Sequence, residues 1–193
     1  VGPIKLIRPR RFGDDRGWFS ETYHSDKYKA LGVDVAFIQD NHSLSRAPWV
    51  LRGLHFQTPP YAQDKLVRCL KGRIWDVAVD VRRGSPTFGQ WVGAELSEEN
   101  GRQLFVPIGF AHGFLTLAPD TEVAYKVSAP YAPECDGGLI WNDPALDVAW
   151  PLEGNLPVLS EKDAQLPGFT GWTSPFAYDD DPLTPLDPEP LTP

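Results

Sequence analysis

Alternation of apolar and polar positions dominates the middle of the chain. In RIWDVAVDV (73–81), Ile74, Asp76, Ala78 and Asp80 alternate with Trp75, Val77, Val79 and Val81. Successive strand residues point to opposite faces, so this segment predicts a strand with one continuous apolar face and one mixed face. VLRGLHFQ (50–57), DKLVRCL (64–70), GQWVGAEL (89–96), RQLFVP (102–107), GFLTLA (113–118) and EVAYKVS (122–128) predict further short strands. KG, RRGSP, SEEN and PD turn signals separate them. Such spacing suits a sandwich or a barrel. Helix is scarce: the best candidate is SDKYKALG (25–32), with Ser25 the expected N-cap and Gly32 the C-terminal stop.

Composition agrees with a β-rich domain. A length of 193 residues fits a single domain with a real core, and 17 Gly with 20 Pro favour strands joined by tight turns over a helical bundle. The net charge of -8 argues against a sequence-independent nucleic-acid binder, although local arginines could still hold a small anion. Much of that charge is local. From Pro175 to Pro193 there are five acids, six prolines and no bases, which predicts a mobile or extended tail whose Phe176 and Tyr178 are free to pack on the body or on a neighbouring subunit. Cys69 and Cys135 form no CxxC pair, and Cys69, in an apolar run, is expected to be a buried free thiol. The segment VGPIKLIRPRRF lacks the apolar centre of a signal peptide, and no run approaches the roughly 20 residues of a spanning helix. The expectation is a soluble cytoplasmic protein with neither membrane nor nucleic-acid partners.

The candidate chemistry centres on VLRGLHFQTPP (50–60), where polar residues interrupt an apolar strand. His55 and Gln57 project to one face, Leu54 and Phe56 to the other, and Gly53 removes bulk where something approaches the backbone. His55 alone could be a structural histidine, a metal ligand or a base. Arg52, Lys65 and Arg68 lie on the same predicted hairpin, too much positive charge for a core without an anionic partner. A metal site would favour two histidines on one face at i and i+2; here the second position is Gln57, and no HxH occurs anywhere. His112 is a second possible ligand, but no third can be placed, which is weak support for zinc or iron. P-loop, GxGxxG and GxSxG patterns are absent, so glycine-loop nucleotide binding and a serine nucleophile have no support. What remains is equipment for proton transfer and anion binding. Taken alone, Tyr125 reads as a core tyrosine and Asp163 as a solvated loop acid.

The sequence resembles the dTDP-4-dehydrorhamnose 3,5-epimerase family of the cupin superfamily. The resemblance is carried, in order, by FGDDRGWFSETY, FIQDNHSLS, the long stretch from VLRGLHFQ through GAELS, RQLFVPIGFAHGFLTL, AYKVSAPYAPECDGGLIWNDP and LSEKDAQLP. It implies a mainly β, cupin-type jelly-roll barrel or sandwich with few short helices. It also implies one domain over 1–167, leaving the Pro-rich acidic tail over 168–193 outside the match, and a homodimer with N-terminal strand exchange. The implied substrate is dTDP-4-dehydro-6-deoxy-D-glucose (dTDP-4-keto-6-deoxyglucose), epimerised at C3 and C5 to dTDP-4-dehydro-L-rhamnose with no metal and no organic cofactor. By the family's pattern His55 is the base, paired with Asp163; Tyr125 is the acid; Lys65, with His112, stabilises the enolate oxygen. Arg16 and Arg52 match diphosphate-binding positions. Phe19, Glu21, Gln39, Asn41, Tyr131 and Lys162 match positions that hold the sugar or the base, some of them acting on the neighbour's site. Asp143 in WNDP is expected to be a structural turn residue. Relatives that epimerise C3 alone or C5 alone use a similar residue set, and a non-catalytic nucleotide-sugar-binding cupin would have lost the base, its carboxylate or the tyrosine.

Overall fold

The computed structural model describes residues 2–187 and 190–193. Strand β1 (Lys5–Ile7) leads into a hairpin of β2 (Arg11–Asp14) and β3 (Gly17–Ser20), then helix α1 (Ser25–Ala30). Strands β4 (Gln39–Ser45), β5 (Leu51–Gln57), β6 (Lys65–Lys71), β7 (Arg73–Asp80) and the short β8 (Arg82–Arg83) follow. Next come β9 (Trp91–Ser97), β10 (Gln103–Val106), β11 (Phe110–Thr116), β12 (Thr121–Val127) and β13 (Asp136–Gly138). Helix α2 (Glu161–Ala164) and β14 (Phe176–Ala177) complete the order. Every strand predicted from alternation is present. No described helix is long and apolar enough to cross a membrane.

Two five-stranded sheets carry the fold. One has the order β1-β10-β6-β12-β4, the other β13-β5-β11-β7-β9, and every pairing within them is antiparallel. Between them lies the main core, where Val67, Ile74, Ala78, Leu96, Leu104, Phe114 and Val123 meet. A second cluster, including Leu54, Phe56, Val77, Val79 and Leu139, covers the outer face of the second sheet. A third packs Tyr28 and Val33, from and just after α1, against Ile7, Leu66 and Phe105 on the outer face of the first.

Strand β7 has the apolar face and the mixed face expected of it. Both of its faces are buried, because the chain after β13 folds back over the second sheet. Its acids survive there only with partners. Asp80 accepts from Arg82 Nε at 3.0 Å and from Ser85 and Thr87 hydroxyls at 2.7 Å each.

Helix α1 begins at Ser25, but its N-cap is His24 and no side chain caps it. Gly32 follows the C-cap Leu31 with φ +86, a left-handed conformation suited to glycine at a helix end. The acidic, proline-rich segment is extended and docked on the body. Two of its apolar residues find buried sites: Phe176 in the outer cluster and Leu183 in the main core. Strand β14 pairs in parallel with β8, Asp179 meets Arg82 at 2.5 Å, and Leu191 exchanges backbone hydrogen bonds with Leu6 and Arg8.

Candidate active site

At one end of the space between the sheets the apolar filling gives way to a cavity of about 560 Å³. The first sheet supplies Gln39 and Asn41 from β4, Lys65 from β6 and Tyr125 from β12; the second supplies Arg52 and His55 from β5 and His112 from β11. Lys162 and Asp163 enter from α2, and Tyr131 and Asp136 from the chain around β13. The two sheets thus present different chemistry across one space.

Two histidines stand side by side on the second sheet, each paired with a carboxylate. His55 Nε2 donates to Asp163 Oδ1 at 2.6 Å, and His112 Nε2 donates to Asp76 Oδ1 at 2.7 Å. His55 and His112 are register partners across β5 and β11. The 30%-exposed His55 side chain reaches the cavity, while Asp163 behind it is buried. A carboxylate on Nε2 fixes the tautomer and leaves Nδ1 as the basic nitrogen. What approaches the backbone at Gly53 is strand β11: a Cβ there would lie 2.5 Å from the Gly113 Cα.

Gln57 performs a structural task. Its amide donates to the carbonyls of Tyr61 and Pro130 and accepts from the Ala132 amide, pinning two loops beside the cavity. Among the described residues, no group of three His, Cys, Asp or Glu side chains is arranged to hold a metal ion.

Electrostatics separate the roles open to each group. Burial pulls the Lys65 ammonium down to about 8, against the charges of Asp76 and Asp136; its Nζ reaches across to the His55 carbonyl at 3.4 Å. Burial pushes the Asp163 carboxyl up, but the hydrogen bond and charge of His55, with help from Ser160 and Lys162, outweigh it and hold the group below the ordinary carboxylate value. Burial raises the Tyr125 phenol, only partly offset by Arg52, so it carries its proton at neutral pH. At the rim, Asp136 accepts from the Tyr131 hydroxyl at 3.0 Å and pairs with Lys162.

The cavity therefore gathers His55, Asp163, Tyr125, Lys65, His112, Gln39, Asn41, Arg52, Tyr131 and Lys162. Arg16, Phe19 and Glu21 do not join them within the chain. Arg16 sits at the tip of the β2–β3 hairpin, 89% exposed and paired with Asp14; Phe19 is 69% exposed; Glu21 pairs with Lys27 at 2.7 Å. Asp143 is the turn residue expected, accepting from the amides of Ala145 and Phe169. Cys69 and Cys135 are free and buried, and burial raises the Cys69 thiol to about 12.

Three site residues escaped sequence reasoning. Asp76 was visible as an acid in an apolar strand, yet its partner His112 is 36 residues away. Asp136 had no distinguishing signal. Ser160 had one: Ser-x-x-Asp before an apolar residue is a helix N-terminus pattern, and its hydroxyl accepts from the Asp163 amide at 3.0 Å. Asp163 is therefore held on a helical turn and is not a loop acid.

Comparison with known proteins decides the lineage. The sequence model of dTDP-4-dehydrorhamnose 3,5-epimerase matches residues 2–171. The chain belongs to the dTDP-4-dehydrorhamnose 3,5-epimerase family. A curated member of that name from Sinorhizobium fredii is 54% identical over 178 residues, 92% of this chain and 91% of the relative. The crystal structure of a Bacillus anthracis dTDP-4-dehydrorhamnose 3,5-epimerase with TDP and PPi bound superposes with TM-score 0.84 at 51% identity, covering 86% of this chain and 94% of the other. A Legionella pneumophila dTDP-6-deoxy-D-glucose-3,5-epimerase in complex with dTDP-4-keto-L-rhamnose matches with TM-score 0.83 at 46% identity, covering 87% and 88%. The paired antiparallel sheets are thus the jelly roll of the epimerase family, and the protein is an isomerase of deoxysugar metabolism.

Proposed function

We propose that this epimerase inverts C3 and C5 of dTDP-4-dehydro-6-deoxy-D-glucose, with His55 as base and Tyr125 as acid. The 4-keto group acidifies the hydrogens on both neighbouring carbons. His55 Nδ1 takes one as a proton, the electron pair moves onto the ketone oxygen as an enolate, and Tyr125 returns a proton to the opposite face of the same carbon. Asp163 stabilises the imidazolium that forms. Lys65 and His112 stabilise the enolate oxygen by charge and hydrogen bonding. The reaction needs no further electron sink, since the substrate's own carbonyl accepts the charge. One observation carries this reading: the His55–Asp163 pair and Tyr125 stand on facing sheets of a single cavity. Inversion requires proton transfer from two sides, and the two walls supply one group each.

Arg52 is the diphosphate anchor, with only long contacts to Ser45 Oγ and the Leu44 carbonyl that an anion could displace. Gln39, Asn41, Tyr131 and Lys162 hold the sugar and the base, Tyr131 offering an exposed ring for stacking. Arg16, Phe19 and Glu21 serve the neighbour's cavity in a homodimer that exchanges N-terminal strands. In support, the hairpin exposes Phe12, Trp18 and Phe19, and Ile38 and Leu44 are exposed around the edge strand β4. A cytoplasmic location suits the two free thiols.

Solvent-deuterium incorporation tests the reading. Incubated with this protein in deuterated water, the nucleotide sugar is expected to gain deuterium at C3 and C5, with turnover unchanged by chelators. Exchange at one carbon alone would assign a mono-epimerase. No exchange at either carbon with binding intact would assign a non-catalytic cupin, and chelator-sensitive turnover a metal-dependent one.

A further inference from the structure

The outer face of the second sheet, behind His55, is covered in part by residues beyond 171, where the family match ends. Trp172 and Phe176 both pack on Phe56, with ring centroids 5.3 Å and 5.6 Å apart, the Phe176 ring edge-on at 90°. Phe56 follows His55 in β5. It is the outward anchor of the strand segment whose inward side chain is the cavity histidine.

That segment needs an anchor. The register between β5 and β11 shifts between His112 and Phe114, immediately beside the His55–His112 pair. A bulge interrupts the ladder and weakens its hold on strand rotation. On the other side the strand neighbour of β5 is the three-residue β13, continued by the backbone hydrogen bonds that Leu54 and Leu139 exchange and by the Leu51 amide on the Val158 carbonyl. There Gly137 lies so close to the Phe56 ring that an added Cβ would come within 2.7 Å of it. The ring is therefore enclosed, and Trp172 and Phe176 form part of the enclosure.

The covering segment is itself fastened on both sides of Phe176. Ser174 Oγ donates to the Val81 carbonyl and accepts from the Phe176 amide at 3.1 Å. Strand β14 pairs with β8, the Tyr178 amide donates to the Arg83 carbonyl at 3.1 Å, and Asp179 pairs with the buried Arg82 guanidinium. Arg82 is also held by Asp80, so the fastening ends on a rigid core strand.

We propose that Trp172–Asp179 is a positioning strap: by clamping Phe56 it sets the rotation of β5 that aims the His55 imidazole at Asp163 and at the substrate. Trp172 and Phe176 act through Phe56 and touch no reacting atom. The inference rests on the reading of His55 as the base.

The test uses full-length Phe176→Ala, Trp172→Ala, Phe176→Leu and, as control, Leu183→Ala, which removes an equally buried tail side chain from the main core, away from Phe56. Each is assayed below its melting temperature for kcat and KM, and the His55 side-chain resonance is recorded by NMR. Phe176→Ala is expected to lower kcat about tenfold or more through misplacement of the base. KM should stay within about twofold, the signature of a loss felt in the transition state. The His55 resonance should shift or broaden, and Phe176→Leu should recover most of the rate. Leu183→Ala should lower stability and leave kcat and the resonance unchanged. Where Phe176→Ala does not fold, the half-buried Trp172→Ala decides by the same readouts. Wild-type kcat with an unmoved resonance in the folded strap variants overturns the proposal, as does an equal loss in Leu183→Ala. His55→Ala in parallel keeps the premises apart: if it retains turnover the base assignment falls, whereas an inactive His55→Ala beside a wild-type-like Phe176→Ala rejects the strap alone.

Discussion

Lys65 carries the clearest pH signature in the cavity. In the proposed mechanism its ammonium is the useful form, because a positive charge beside the ketone oxygen lowers the cost of the enolate, and burial brings its deprotonation down to about 8. As pH rises through that value the charge is lost. The expected profile is therefore a fall in kcat on the alkaline side centred near 8, and Lys65→Met should lower kcat by about 10²–10³ and remove that limb. A limb unmoved in Lys65→Met would assign it to another group. At this scale the sequence was informative about residue types, and the family resemblance gave the His55–Asp163 pair but not the second histidine–carboxylate pair. His55, Tyr125 and Lys65 were identifiable, but that Asp76 meets His112 depends on the β7–β11 register, which sets His112 opposite Ala78 and leaves Asp76 to reach it from the same face. Nothing local encodes that register.

Elements were legible where alternation is strong and obscure where a few residues act through a cap. The seven strands from β5 to β12 that alternate clearly were all found. Helix α2 was read as loop, because four residues show no helical period. Ser160 holds this turn through the Asp163 amide, so Ser160→Ala should cost about 1 kcal/mol, seen as a fall in Tm of about 2–4 °C. It should also lower kcat severalfold through a loosened Asp163. Unchanged kcat with the expected loss of Tm would restrict Ser160 to a structural role. The acidic segment was legible only in part: its extended form and the packing of Phe176 on the body were expected, the docking of the rest was not. Charge and proline content speak for an extended chain, and a few spaced apolar residues, Phe176, Leu183 and Leu191, suffice to dock it.

For the whole molecule, the residues left outside the cavity matter as much as those inside. Arg16 and Phe19 lie on an exposed hairpin and Glu21 just after it, and in the proposed homodimer they complete the neighbour's site. Mixing and reassembling inactive His55→Ala with inactive Arg16→Ala should restore about a quarter of wild-type activity, since half of the dimers are mixed and each then holds one complete site. No recovery, with dimers verified by light scattering, would place Arg16 outside the neighbour's site. The central claim is that base and acid act from opposite walls. The most direct measurement is Tyr125→Phe in deuterated water, following exchange and configuration at C3 and C5 together. The expected result is deuterium uptake that persists while inversion falls sharply; inversion at the wild-type rate would contradict the assignment of Tyr125 as the acid.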